Sequence, residues 1–110
     1  MLGPSSGQGH TSAVVMAEAG IEHLLAAMEH LRSTGAAALE PSPEAQSAFV
    51  REVDRRMAGS VWTSGGCRSW YLDATGRNST LWPGFTLPFR RRLRTLQPKD
   101  YLLTARRDAA

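Results

Sequence analysis

Apolar residues at Val14, Ala17, Ile21, Leu24, Met28 and Leu31 recur in alternating steps of three and four, the spacing of one face of an amphipathic helix. The pattern predicts a helix over residues 12–34. Thr11 or Ser12 stands where a cap is needed, Glu22, Glu29 and Arg32 fall on other faces, and Gly35 supplies the stop. After a connector at 36–41, a second period places Ala45, Phe49, Val53 and Met57 every four residues. It is preceded by Ser42-Pro43-Glu44, which reads as an N-cap, a first-turn proline and an acid at the positive dipole end. This predicts a helix over 43–58 that ends at Gly59 and turns Arg51, Glu52, Asp54, Arg55 and Arg56 to solvent. The two apolar stripes are expected to pack on each other.

Beyond Gly59 the period shortens to two. Ser69 to Asp73 alternates like a half-buried strand, with Trp70 and Leu72 on one face. Val61-Trp62-Thr63 reads as a shorter strand before it. Gly76 and Asn78 tolerate positive φ, and Leu81-Trp82 begins a second apolar run that Pro83-Gly84 ends. Residues 61–84 therefore read as a strand and hairpin region centred on Gly76. In the last segment, Phe85, Leu87 and Phe89 alternate around Pro88, an arginine run follows at 90–94, and residues 97–103 read as a docking strand or extended arm. Residues 85–110 form a basic C-terminal arm, and 1–11 a glycine-rich loop. The fold class is α+β, in a single incomplete domain: two amphipathic helices, a β-hairpin and the arm.

Composition sharpens this picture in two ways. Leu, Ile, Val and Phe make up under a quarter of the 110 residues, so weak autonomous stability is expected. The net charge of +3 hides an asymmetry. Residues 1–58 carry four arginines against seven acids, and residues 59–110 carry nine basic residues against three acids. A single cysteine, Cys67, rules out an internal disulfide and suits a reducing compartment. No apolar run approaches the roughly 18 to 20 residues that span a bilayer, and no signal-peptide pattern opens the chain. A cytoplasmic location is expected, with no membrane partner.

Residue chemistry alone offers little catalysis. There is no paired-carboxylate spacing, no nucleophile elbow and no Cys-x-x-Cys. The glycine-rich opening runs into a helix, so its free N–H groups suit an anionic or electron-rich ligand, although a capped helix with nothing bound has the same sequence. His23 and His30 lie two turns apart, too far to share a metal, and read as surface or boundary residues. Arginines beside tryptophans can hold nucleic acid, but a solvated helical turn explains the run at 90–94 as well, and nucleic acid is not the expected partner. The alternative to an enzyme is thus a small basic binding module.

Three segments carry more. The order and spacing of GPSSGQGHTSAVVMAEAGIEHLL, EPSPEAQSAFVREV and CRSWYLDATGRNSTLWPGFTLPFRRRLRTLQPKDYLL resemble the C-terminal region of FAD-containing, NADPH-dependent monooxygenases of the Baeyer-Villiger, cyclohexanone monooxygenase-like type. The resemblance implies a fragment of a larger α/β enzyme with two dinucleotide-binding domains, whose remainder would be the partner. Such enzymes insert one oxygen atom of O2 into a ketone or a soft heteroatom of a small molecule. Gly3, Pro4, Gly9, His10 and Thr11 match the segment that passes the flavin, which implies backbone contact to FAD. Trp70 matches a tryptophan near the nicotinamide ribose of NADPH. Ser5 stands where relatives commonly have Asn. Both glycine-rich dinucleotide motifs are missing, so the isolated chain is expected to be inactive. A fragment or internal start is expected over a free-standing protein.

Overall fold

The computed structural model describes residues 5–7, 12–60 and 71–107. Helix α1 spans Ala13–Thr34, strand β1 Ala38–Pro41, helix α2 Pro43–Met57, helix α3 Thr86–Arg94 and strand β2 Tyr101–Thr104. A 3₁₀ turn, Pro98–Asp100, leads into β2. The class is α+β.

Local chemistry sets the helix ends. Ser12 Oγ accepts from the Val14 amide at 3.3 Å, and Gly35 closes α1 at φ 67°. Ser42 Oγ accepts from the Ala45 amide at 3.1 Å, with Pro43 opening α2. Residues 36–41, expected to be a plain connector, contain β1. It pairs antiparallel with β2, Ala38 opposite Thr104 and Pro41 opposite Tyr101. The flanking bonds, Ala37 N–H to Thr104 O and Ser42 N–H to Asp100 O, are both 2.8 Å. Four residues ending in proline carry no legible strand period, so the partner at the far end of the chain makes this strand.

The core departs from the expected helix pairing. Met16 and Ala19 of α1, Val53 of α2, Trp82, and Phe89 of α3 form one buried cluster, with Phe49 and Leu93 against it. Trp82 is the hub. Its ring centroid lies 5.0 Å from Phe89 and 6.3 Å from Phe49, the latter stacked at 13°. Helix α1 packs chiefly against α3. The stripe expected to meet α2 is instead largely open: Val14, Ile21, Leu24 and Met28 of that stripe, with Leu25 beside them, are 43% to 65% exposed, while Ala17 and Leu31 are half-buried. At 100° per residue the five exposed residues lie on average about 165° around the helix from Met16 and Ala19. The buried side prevails because it carries the small Ala19 that admits α3, and because Glu22 and His23 beside it find partners on α3 and β2.

The arginine run belongs to α3 and is partly spent within the fold. Arg90 donates to Glu22 of α1 and Arg92 to Glu52 of α2, each at 2.7 Å. Arg77 reaches Asp54 of α2, also at 2.7 Å. The acidic first half and basic second half of the chain are therefore complementary docking surfaces. Glu52 and Asp54, expected to face only solvent, serve this docking.

Candidate functional site

The residues matched to cofactor contact, Gly3, Pro4, Gly9, His10, Thr11 and Trp70, lie outside the described residues, as do Cys67, Trp62 and the strand expected at 61–63. What the structure describes is the frame between them. Residues 5–7 lie against residues 79–82 as a short parallel clasp. Ser5 N–H donates to Ser79 O at 2.7 Å, Gly7 N–H to Thr80 O at 3.0 Å, and Trp82 N–H to Gly7 O at 2.7 Å. The segment matched to the flavin side is thus tied to the one that follows Trp70.

Two residues make the clasp possible. A Cβ on Gly7 would sit 3.0 Å from Thr80 O and 3.3 Å from Leu81 Cδ2, tighter than most such contacts, so a side chain here would push the segments apart by a few tenths of an ångström. Asn78, 1% exposed, turns its Oδ1 onto the amides of Thr80 and Leu81, both at 3.1 Å. Those two N–H groups are then withdrawn from cross-strand pairing. This is why the hairpin around Gly76 is short: Leu72 and Asn78 form one antiparallel bridge, and Leu81 pairs with Gly7 instead of returning along the first arm. Asn78 was expected to supply positive φ, but among the described residues only Gly35, Gly76 and Ser5 have it. The asparagine works through its side chain.

The turn itself is held by Asp73. Its Oδ1 accepts from the Thr75 amide at 2.8 Å, the Thr75 hydroxyl at 2.6 Å and the Arg77 amide at 3.0 Å. These bonds, led by the Thr75 hydroxyl, hold its carboxyl below the ordinary range. Ser5 is buried at φ 56°, a left-handed conformation that asparagine adopts more readily than serine. The departure from Gly-Pro-Asn noted in the sequence therefore falls on a backbone position where it matters.

His23, read as a boundary residue, is half-buried and bridges two elements. A carbonyl only accepts, so Nδ1–H donates to Leu93 O at 2.9 Å, leaving Nε2 to accept from the Tyr101 hydroxyl at 2.8 Å. Burial, then the charge of Asp100, pushes the Tyr101 phenol up. Nothing in the period of α1 singles this histidine out, because its partners come from residues 93 and 101. Among the described residues no group of three or more His, Cys, Asp or Glu side chains could hold a metal ion, and no helix is long and apolar enough to cross a membrane.

Comparison with known proteins shows what the chain is similar to. No protein-family model matches the chain, and no solved structure matches it. Curated relatives do. A Baeyer-Villiger monooxygenase of Streptomyces coelicolor is 41% identical over 102 residues, covering 92% of this chain and 20% of that protein. A second, from Pseudomonas aeruginosa, is 40% identical over 105 residues, 94% of this chain and 20% of that protein. An Aspergillus niger protein named FAD-binding monooxygenase ktnD is 23% identical over 114 residues. The two bacterial relatives carry the name Baeyer-Villiger monooxygenase, and the fungal one the name FAD-binding monooxygenase. The chain is similar to a C-terminal segment of Baeyer-Villiger monooxygenases, and it spans about a fifth of the length of the curated relatives it matches.

Proposed function

We propose that this chain acts as the C-terminal part of an FAD- and NADPH-dependent Baeyer-Villiger-type monooxygenase, assembled with the flavin- and nicotinamide-binding portions and inactive without them. The observation that carries the reading is the uncovered apolar stripe of α1 in a chain that spans a fifth of its relatives. Five large apolar side chains along one helix are a surface meant to be covered. The remainder of such an enzyme is the occupant of matching size.

The described residues fit a support for a flavin. The clasp holds residues 5–7, inside the segment matched to the flavin side, against residues 79–82, and Asn78 Nδ2 is a buried donor with no partner among the described residues. In this proposal those five residues face the flavin through their backbone, and Trp70 offers its indole N–H to the nicotinamide ribose. When bound, the flavin reduced by NADPH supplies the oxygen-transfer chemistry to a ketone or soft heteroatom of a small substrate. This chain's contribution is positioning and exclusion of water. A cytoplasmic setting agrees with a single cysteine.

The test is reconstitution. The purified chain is mixed with the portion of the Streptomyces coelicolor relative outside the matched segment, and flavin retention and NADPH oxidation are followed. The chain alone is expected to be colourless and silent, the mixture to hold flavin and consume NADPH, and Ile21→Asp to abolish assembly. Flavin retention and NADPH oxidation that are the same with and without the chain would overturn the proposal.

A further inference from the structure

Away from the clasp, a cavity of about 290 Å³ opens where α1, α2, α3 and the β1–β2 ribbon converge. Phe49 and Leu93 give it an apolar base, and both are braced against the core. One wall is the His23–Tyr101 hydrogen bond, which ties α1 to β2 and leaves neither histidine nitrogen free to turn away. The shape is therefore set by packing and by hydrogen bonds among elements distant in sequence.

Two opposite charges line this cavity, Arg92 and Asp100, and no ion pair joins them. Arg92 donates through Nη1 to Glu52, but Glu52 also holds Arg56 at 2.8 Å. Two guanidinium groups thus share one carboxylate, and one positive charge is in excess. Asp100 has no ion pair among the described residues, and its charge is felt at the Tyr101 hydroxyl. A monoanion on Arg92 would meet Asp100, and a monocation on Asp100 would meet Arg92. A neutral apolar molecule would desolvate both charges and pair neither.

We propose that this cavity binds a small zwitterion, a carboxylate and an ammonium carried on an apolar body, with its carboxylate on Arg92 and its ammonium on Asp100. The volume stands at the small end of the roughly 300 to 1,000 Å³ of ligand sites. It admits a molecule of amino-acid size and is too small for a dinucleotide. Leu93 and the edge of Phe49, whose ring stacks on Trp82 and lies 5.1 Å from the Arg92 guanidinium, take the apolar body, and the two charges fix its orientation. The site does not depend on the monooxygenase reading, since none of its residues is among those matched to cofactor contact.

The test uses the whole ¹⁵N-labelled chain in dilute buffer, with the amides of Phe49, Leu93 and Tyr101 followed by NMR. The probes are L-phenylalanine, 4-(aminomethyl)benzoate, 3-phenylpropionate and phenethylamine. The first two are zwitterions with short and long charge separation, so their ranking reports the span between Arg92 and Asp100. At least one is expected to give saturable shifts at about tenfold lower concentration than either singly charged probe, the worth of one charge-assisted hydrogen bond. Arg92→Gln is expected to bring the zwitterion down to the affinity of the amine. Because Arg92 also docks α3, Asp100→Asn serves as the independent variant, expected to bring it down to that of the acid. Absence of saturable shifts with both zwitterions, or a singly charged probe binding as tightly as they do, overturns the assignment.

Discussion

Replacing Gly7 by alanine probes the clasp that joins the two cofactor-matched segments. The added methyl would stand 3.0 Å from Thr80 O and 3.3 Å from Leu81 Cδ2, both tighter than an ordinary van der Waals contact. The leucine end can rotate away, but Thr80 O is backbone and already accepts the Gly7 N–H at 3.0 Å. Relief therefore requires separating the segments, which weakens that bond and the 2.7 Å bond from Trp82 N–H to Gly7 O. Overpacking of this kind costs about 1 to 3 kcal/mol, and two weakened hydrogen bonds are worth about 1 kcal/mol each. Amide hydrogen exchange of the whole chain reads this directly. Trp82 N–H is expected to lose protection by about tenfold or more, while the amides of α2 change only as far as global stability does. Unchanged protection of Trp82 N–H in a folded Gly7→Ala chain would refute the reasoning.

Three further outcomes follow from the packing. Trp82→Ala removes the ring shared by Phe49 and Phe89 and is expected to cost about 3 to 5 kcal/mol. That leaves little cooperative unfolding to observe in a urea titration, and a variant with a normal midpoint would contradict the hub role. Glu22, Glu52 and Asp73 titrate below the ordinary carboxylate range, the first two chiefly through hydrogen bonds from Arg90 and Arg92 and the third through Thr75. Their contribution is complete above the unfolded carboxylate range and is lost as pH falls through the lowered folded values. The urea midpoint should thus hold from pH 7 to about pH 5 and drop below about pH 4; a midpoint flat down to pH 3 would count against these pairs. Ser5→Gly relieves a left-handed serine and is expected to raise stability by about 0.5 to 1 kcal/mol, with a lower melting temperature as the contrary result.

Signals carried by a few consecutive residues were legible. Ser12, Gly35, Ser42 and Pro43 set helix ends where their chemistry predicts, and Gly76 sits in the turn at φ 81°. The resemblance to Baeyer-Villiger monooxygenases was legible too, because it rests on three long strings in order. What the chain did not reveal is which of its complementary surfaces meet. Helix α1 presents a long apolar stripe and a narrower side with Met16, Ala19 and His23, and periodicity favours the former. The latter is buried because Arg90, Leu93 O and Tyr101 answer Glu22 and His23 from about seventy residues away. Strand β1 escaped for the same reason, since its partner lies at 101–104. The side-chain role of Asn78 is local, onto the amides two and three residues on, and was missed because asparagine serves a turn equally well through its backbone.

The two interlocks also dictate an order of events. Ser5 bonds a residue 74 positions later, and His23 one 78 positions later, so the described core is closed almost entirely by distant pairs. A chain growing from the ribosome can form α1 and α2 early, but β1 has no partner until Tyr101–Thr104 has emerged. Closing such long loops is slow, since their entropy must be lost before any contact compensates for it. During that interval the stripe of α1 and the rings of Phe49 and Phe89 are exposed together, and a partner already present could capture them before they find Trp82. Assembly while the chain is still being made is then a faster route to a covered surface than assembly from two finished pieces.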